Sequence, residues 1–82
     1  MKVEEIRQIL NEEIPGMGKV TVDLVVRDLK IDPANPTTEQ IKKLISTALS
    51  RLKLFVGEAR AKQIIPKLAS FLPGGASDIT IT

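Results

Sequence analysis

The 82-residue sequence contains no cysteine, histidine, tryptophan or tyrosine. Without cysteine it has neither a disulfide framework nor a thiol nucleophile. Without histidine it lacks the side chain whose ordinary pKa lies closest to neutral pH. The usual ligand sets for zinc, haem and iron–sulfur clusters depend on the same two residue types. These absences argue against catalysis, and we expect a protein with no catalytic residues, no metal and no cofactor.

Aromatic residues are almost as scarce, because Phe55 and Phe71 are the only two. Hydrophobic residues still make up 43% of the chain, which is enough for one aliphatic core in a domain of this length. We therefore expect a single domain over residues 1–72. So few rings leave little surface on which unpaired bases could stack, which argues against the common modules that bind single-stranded RNA.

The sequence also lacks a long hydrophobic run. No stretch approaches the ~18 apolar residues of a membrane-spanning helix. The first residues, Met1-Lys2-Val3-Glu4-Glu5, do not have the apolar segment of a signal peptide. We therefore expect a cytoplasmic protein that has no contact with a membrane.

Apolar residues recur with helical spacing in two stretches, residues 3–13 and residues 38–55. In both, polar side chains cover the opposite face, which is typical of amphipathic helices. The apolar positions of the second stretch are Ile41, Leu44, Ile45, Ala48, Leu49, Leu52 and Phe55. Thr37 and Gln40 have the spacing of a capping box at its start. Both stretches are predicted to be helices.

A further helix is predicted over residues 58–72, and Pro66 lies inside it. Proline removes one backbone hydrogen bond and clashes with the carbonyl four residues earlier, which here belongs to Lys62. We therefore expect a kink or a break just before Pro66. Residues 73–82 begin with Pro-Gly-Gly-Ala-Ser and are predicted to form a flexible tail.

Residues 19–31 admit two interpretations. Apolar residues at Val22, Val25, Val26 and Leu29 have helical spacing, whereas the many β-branched residues favour a strand. Charged residues at positions 27, 28 and 30 fit the polar face of a helix, and we favour the helix. The predicted fold is therefore an all-α domain of four helices. The alternative is an α+β fold, in which residues 19–27 form a strand that pairs with residues 78–82.

A glycine-rich turn separates the first two predicted helices and resembles the hairpin of the helix-hairpin-helix family. The matching positions are Ile14, Pro15, Gly16, Met17, Gly18 and Thr21. The resemblance implies binding to the DNA backbone without regard to sequence. Glycines allow the backbone to approach a phosphate, and the amides that open the next helix attract the anion. Lys19 would add a positive charge, although a plain turn capped by glycine explains the same residues.

Basic residues are concentrated in the second half of the chain. Residues 38–82 carry seven positive and three negative side chains, a net charge of +4, whereas residues 1–37 carry five and seven, a net of −2. Lys42, Lys43 and Lys53 lie off the apolar stripe of their helix and could contact phosphates. A charged surface that keeps the helix soluble is the alternative reading.

The apolar residues near the end of the chain exceed what a minimal core needs. They are Ile64, Ile65, Leu68, Phe71 and Leu72. Burial against a second copy or a partner helix would cover them. The function predicted from the sequence is therefore that of a helical protein–protein interaction or oligomerisation module without catalytic activity. The alternative is a DNA-binding protein that uses the glycine-rich hairpin.

Overall fold

The computed structural model describes residues 2–82 and contains four α-helices. They are α1 (Lys2–Glu13), α2 (Met17–Asp28), α3 (Thr38–Val56) and α4 (Glu58–Leu68). Two short 3-10 turns follow, at Ala69–Phe71 and Gly75–Asp78. Residues 2–82 contain no strand, so the all-α prediction is confirmed and the α+β alternative has no support.

The ambiguous segment forms α2 because the helix gives it a continuous buried face. Thr21, Val22 and Val25 are buried on that face together with Gly18. A strand would have placed alternate valines on a solvated side, so packing against α1 and α3 outweighs the β propensity of the β-branched residues. The helix ends when Lys30 adopts a left-handed conformation, φ 54°.

Helix α3 begins with the capping box that the sequence predicts. The amide of Gln40 donates to the Thr37 hydroxyl oxygen at 3.1 Å, and the Thr37 amide donates to Oε1 of Gln40 at 2.9 Å. These bonds satisfy two groups that would otherwise lack partners at the helix start. Six of the seven apolar positions are buried, with Phe55 as the exception.

Helix α4 continues through Pro66 and ends at Leu68, two residues later. The backbone then tightens into the first 3-10 turn, so the helix stops earlier than the predicted range of 58–72. Near the last turn of a helix, proline removes one hydrogen bond without interrupting a long ladder. Gly57 alone separates α4 from α3.

The helices pack in chain order, α1 against α2, α2 against α3 and α3 against α4, and α4 returns to α1. The molecule measures 30 × 26 × 20 Å. Its core is aliphatic, as the composition predicts, and includes Leu10, Leu49, Leu52 and Ile64 with no exposed surface. The free energy of unfolding expected for a domain of this size is about 4–12 kcal/mol.

The last residues of the chain pack against α3, which differs from the flexible tail expected of residues 73–82. Ile79 is buried and has an extended backbone, and the residues after it lie beside the helix. The amide of Thr80 donates to the Ser46 hydroxyl at 3.1 Å, and the amide of Thr82 donates to the Ser50 hydroxyl at 3.0 Å. Two residues of an extended chain and one turn of a helix both span about 6 Å. The spacing of Thr80 and Thr82 therefore matches that of Ser46 and Ser50, and both hydrogen bonds can form together.

Replacing Ser46 and Ser50 with alanine will release this segment. Each serine–amide bond contributes about 1 kcal/mol, and the double variant removes both acceptors without changing the core. Amide hydrogen exchange at Thr80 and Thr82 will become faster, whereas exchange in the middle of α2 will not change. Equal protection in the two proteins would show that the hydroxyl groups do not hold the segment.

Candidate binding surfaces

The hairpin between α1 and α2 has two of its amides already engaged within the protein. Gly16 has φ 82°, a conformation that favours glycine, and its amide donates to Oδ1 of Asn11 at 3.1 Å. The amide of Gly18 donates to the carbonyl of Ile14 at 2.8 Å. Within residues 2–82, the amides of Met17 and Lys19 have no acceptor. An anion at this turn would therefore meet two amides rather than four.

Gly18 serves the packing of two helices. It is buried inside α2, and a Cβ atom there would overlap the carbonyl oxygen of Leu10 in α1 and lie 2.9 Å from the amide nitrogen of Asn11. The sequence predicted a close backbone approach at this glycine, and the approach is to α1. Thr21 is also buried. Of the four residues predicted to bind phosphate at the hairpin, Gly16 and Lys19 are exposed, whereas Gly18 and Thr21 are buried.

The predicted basic residues lie on two helices, with Lys19 on α2 and Lys42, Lys43 and Lys53 on α3. Within the described part of the chain, none of these lysines has a carboxylate oxygen within 4.0 Å. All four arginines, by contrast, form ion pairs. These four lysines therefore remain available to an external anion.

Most of the predicted interaction surface forms the core of the protein itself. Ile64, Leu68 and Leu72 are buried. Ile65 and Phe71 are half-buried and pack against that core. The sequence overestimated the surplus of apolar residues because the core is built from aliphatic side chains, with no fully buried aromatic residue among residues 2–82, and needs more of them to fill it.

The exposed apolar residues lie elsewhere, most of all at the C-terminal end of α3. Leu54 is 81% exposed and Phe55 is 64% exposed. We call Lys53, Leu54 and Phe55 the α3 knob. Leu54 stands on the polar side of the helix, which is a signal that the sequence contains. Phe55 continues the apolar stripe. The helical spacing of that stripe does not show that no other helix covers the last turn of α3.

A shallow groove of about 410 Å³ lies between α1 and the first 3-10 turn. We call it the α1 groove. Its lining residues are Glu5, Gln8, Ile9, Glu12, Ser70 and Phe71. Phe71, a member of the predicted interaction surface, therefore lines a groove on the outside of the molecule.

An ion-pair cluster at Glu13 connects α1 to α4. Nζ of Lys67 lies 2.7 Å from one carboxylate oxygen of Glu13, and Arg60 lies 3.7 Å from the other. Arg60 also donates to the backbone carbonyl of Glu13 at 3.1 Å. The hydrogen bond from Lys67 lowers the pKa of Glu13, outweighing the partial desolvation of the carboxylate, which raises it.

Replacing Lys67 with methionine will raise the pKa of Glu13 towards its ordinary value of 4.5. A depressed pKa in the folded protein stabilises the fold above that ordinary value, and the contribution is lost as pH falls through the folded pKa. NMR titration of the Glu13 carboxyl carbon measures the change. Lys62→Met is the matched control, because Lys62 pairs with Glu58. An unchanged pKa of Glu13 in the Lys67 variant would show that Lys67 does not lower it.

Residues 2–82 bring together no group of three or more acidic side chains that could hold a metal ion. Over the same residues, no helix is long and apolar enough to span a bilayer. No protein-family model matches the chain, and comparisons with curated proteins and with solved structures found no similar chain. The resemblance of residues 14–26 to a helix-hairpin-helix motif therefore stays a prediction from the sequence.

Proposed function

We propose that this protein is a small helical interaction module without catalytic activity, and that it associates with further copies of itself through the α3 knob. The observation that carries the proposal is the exposure of Leu54 and Phe55, at 81% and 64%. Adjacent large apolar side chains left in water at the end of a helix are typical of a contact surface.

The exposure of the knob is not the result of incomplete folding. The chain exposes 4662 Å², close to the roughly 4,900 Å² expected for a folded monomer of its mass. Burial of apolar surface is worth about 25 cal/mol per Å². Because association also costs translational and rotational freedom, covering one leucine and one phenylalanine can support a weak association at most, with a dissociation constant of about 100 µM or weaker.

A second exposed stripe runs along α2. Met17, Val20 and Leu24 have the spacing of one helix face, and each is at least 36% exposed. The stripe is less exposed than the knob, and its residues are partly covered by their neighbours. We therefore assign the main contact to the knob and not to the α2 stripe.

Sedimentation equilibrium from about 10 µM to about 1 mM tests the proposal. The average mass of the native protein will rise with concentration, whereas the Leu54→Gln/Phe55→Gln variant will remain monomeric because its knob is polar. Ala59→Gln, at an exposed position of α4, is the control and will associate as the native protein does. A native protein that stays monomeric over this range would refute self-association.

Nucleic-acid binding is the second candidate function, and the unpaired lysines favour it. Lys19, Lys42, Lys43 and Lys53 have no carboxylate within ion-pair distance among residues 2–82. Lys19 also stands in the first turn of α2, beside the amide of Met17, which has no acceptor there. Such a surface would bind the phosphate backbone through charge alone.

This candidate predicts strong dependence on salt. Titration with a short random-sequence DNA duplex will shift the amide signals of Met17 and Lys19 at about 50 mM salt and not at about 200 mM. The Lys42→Gln/Lys43→Gln variant will bind more weakly, whereas Lys62→Gln, which removes a paired lysine, will have a smaller effect. If the amide signals of Met17 and Lys19 do not move at either salt concentration, the hairpin does not bind DNA and this candidate is refuted.

A further inference from the structure

The α1 groove is lined by carboxylates and by apolar side chains. Glu5 and Glu12 are seven residues apart on α1, which places them about 10 Å apart along one face of the helix. Ile9 lies between them along α1, Phe71 of the first 3-10 turn lines the same groove, and both are half-buried. The groove therefore combines two carboxylates with two apolar side chains in a lining that is otherwise polar.

Neither carboxylate is neutralised by the protein. Within residues 2–82, Glu5 and Glu12 have no cation within 4.0 Å, although Glu4, Glu13 and Glu58 all form ion pairs. Both side chains are exposed. Carboxylates that lack internal partners and lie beside apolar side chains attract a surface that carries a cation next to apolar groups.

The α3 knob has the complementary chemistry. Leu54 and Phe55 supply exposed apolar side chains, and Lys53 beside them has no carboxylate partner among the described residues. The knob and the groove share no residue and stand on different helices. One copy can therefore offer its knob while its own groove receives another.

We propose that the α3 knob of one copy docks into the α1 groove of a second copy, with Lys53 beside one of the two rim carboxylates and Leu54 and Phe55 covering Ile9 and Phe71. This inference rests on the self-association proposed above and names the surface that receives the knob. Because the two surfaces differ, the contact either repeats head to tail into chains or rings or closes reciprocally, with each copy's knob in the other's groove, into a two-fold dimer.

The inference is tested by mixing two variants, one with an altered knob and one with an altered groove. The knob variant is Leu54→Gln/Phe55→Gln and the groove variant is Glu5→Lys/Glu12→Lys. Each will stay monomeric alone over the range in which the native protein associates. Mixed in equal amounts, they will form a one-to-one dimer and nothing larger, because the mixture offers one intact knob and one intact groove. Sedimentation of the mixture measures this directly.

A control variant, Glu39→Lys/Glu58→Lys, makes the same change of charge outside the groove and will associate at least about tenfold more tightly than the groove variant. If the native protein associates and the mixture stays monomeric, the groove is not the receiving surface and this inference is overturned while self-association stands. A groove variant that associates as the native protein does has the same meaning. If the native protein does not associate at all, the proposed function fails as well.

Discussion

Replacing Gly18 with alanine will lower the free energy of unfolding by about 3 kcal/mol, at the upper end of the cost of overpacking. The new Cβ atom would overlap the carbonyl oxygen of Leu10, and that oxygen belongs to a helix backbone that cannot move alone. Helices α1 and α2 must separate, which opens the buried contacts on both sides of the crossing. Alanine's better helix propensity, worth about 1 kcal/mol, offsets only part of this cost.

Urea denaturation followed by circular dichroism measures the effect of Gly18→Ala. Lys19→Ala is the matched control, because it lies next in the same helix and is exposed. Its effect will stay within about 0.5 kcal/mol, as is usual for surface positions. If Gly18→Ala were as stable as the native protein, α1 and α2 would not approach each other as closely as the structure places them.

Leu52→Ala will lower the free energy of unfolding by about 2–5 kcal/mol, whereas Leu54→Ala will change it by less than about 0.5 kcal/mol. Leu52 has no exposed surface, and Leu54 is 81% exposed two residues later on the same helix. The first change leaves a cavity in the core and the second leaves none. The larger loss is a considerable part of the total stability expected for a domain of this size.

Thermal and urea unfolding of the two leucine variants provide their own control, because residue type, helix and substitution are the same. Below the concentration at which the protein associates, burial alone separates them. Comparable losses at the two positions would mean that Leu54 is covered within the monomer. In that case the α3 knob would not be an exposed surface.

Much of the fold follows from the pattern of the sequence. Two features of α3 depend only on residues close together in the sequence, and both are confirmed. They are the capping box of Thr37 and Gln40 and the stripe of apolar residues. The choice between helix and strand over residues 19–31 depends on what packs on which face, so local propensity left it open. The docking of residues 79–82 depends on Ser46 and Ser50, about 30 residues away in the sequence. The residues near the end of the chain therefore do not predict it.

The candidate surfaces were harder to predict than the fold. Helical spacing identifies residues that share a face but does not show which faces the other helices cover. Ile64 and Leu68 were therefore predicted to contact a partner and are buried in the core, whereas Phe55 has the spacing of a core residue and is exposed. Spacing also does not show which backbone Gly18 approaches, and in the structure that backbone belongs to α1.

Dilution followed by amide NMR will show whether copies of this protein associate through the end of α3. Between about 1 mM and about 20 µM, we expect the amide signals of Leu54 and Phe55 to move together with those of Glu5 and Glu12. Signals in the middle of α2 will stay in place. If no signal depends on concentration, or if only hairpin residues such as Gly16 and Lys19 respond, the α3 knob is not the contact surface and the proposed function is contradicted.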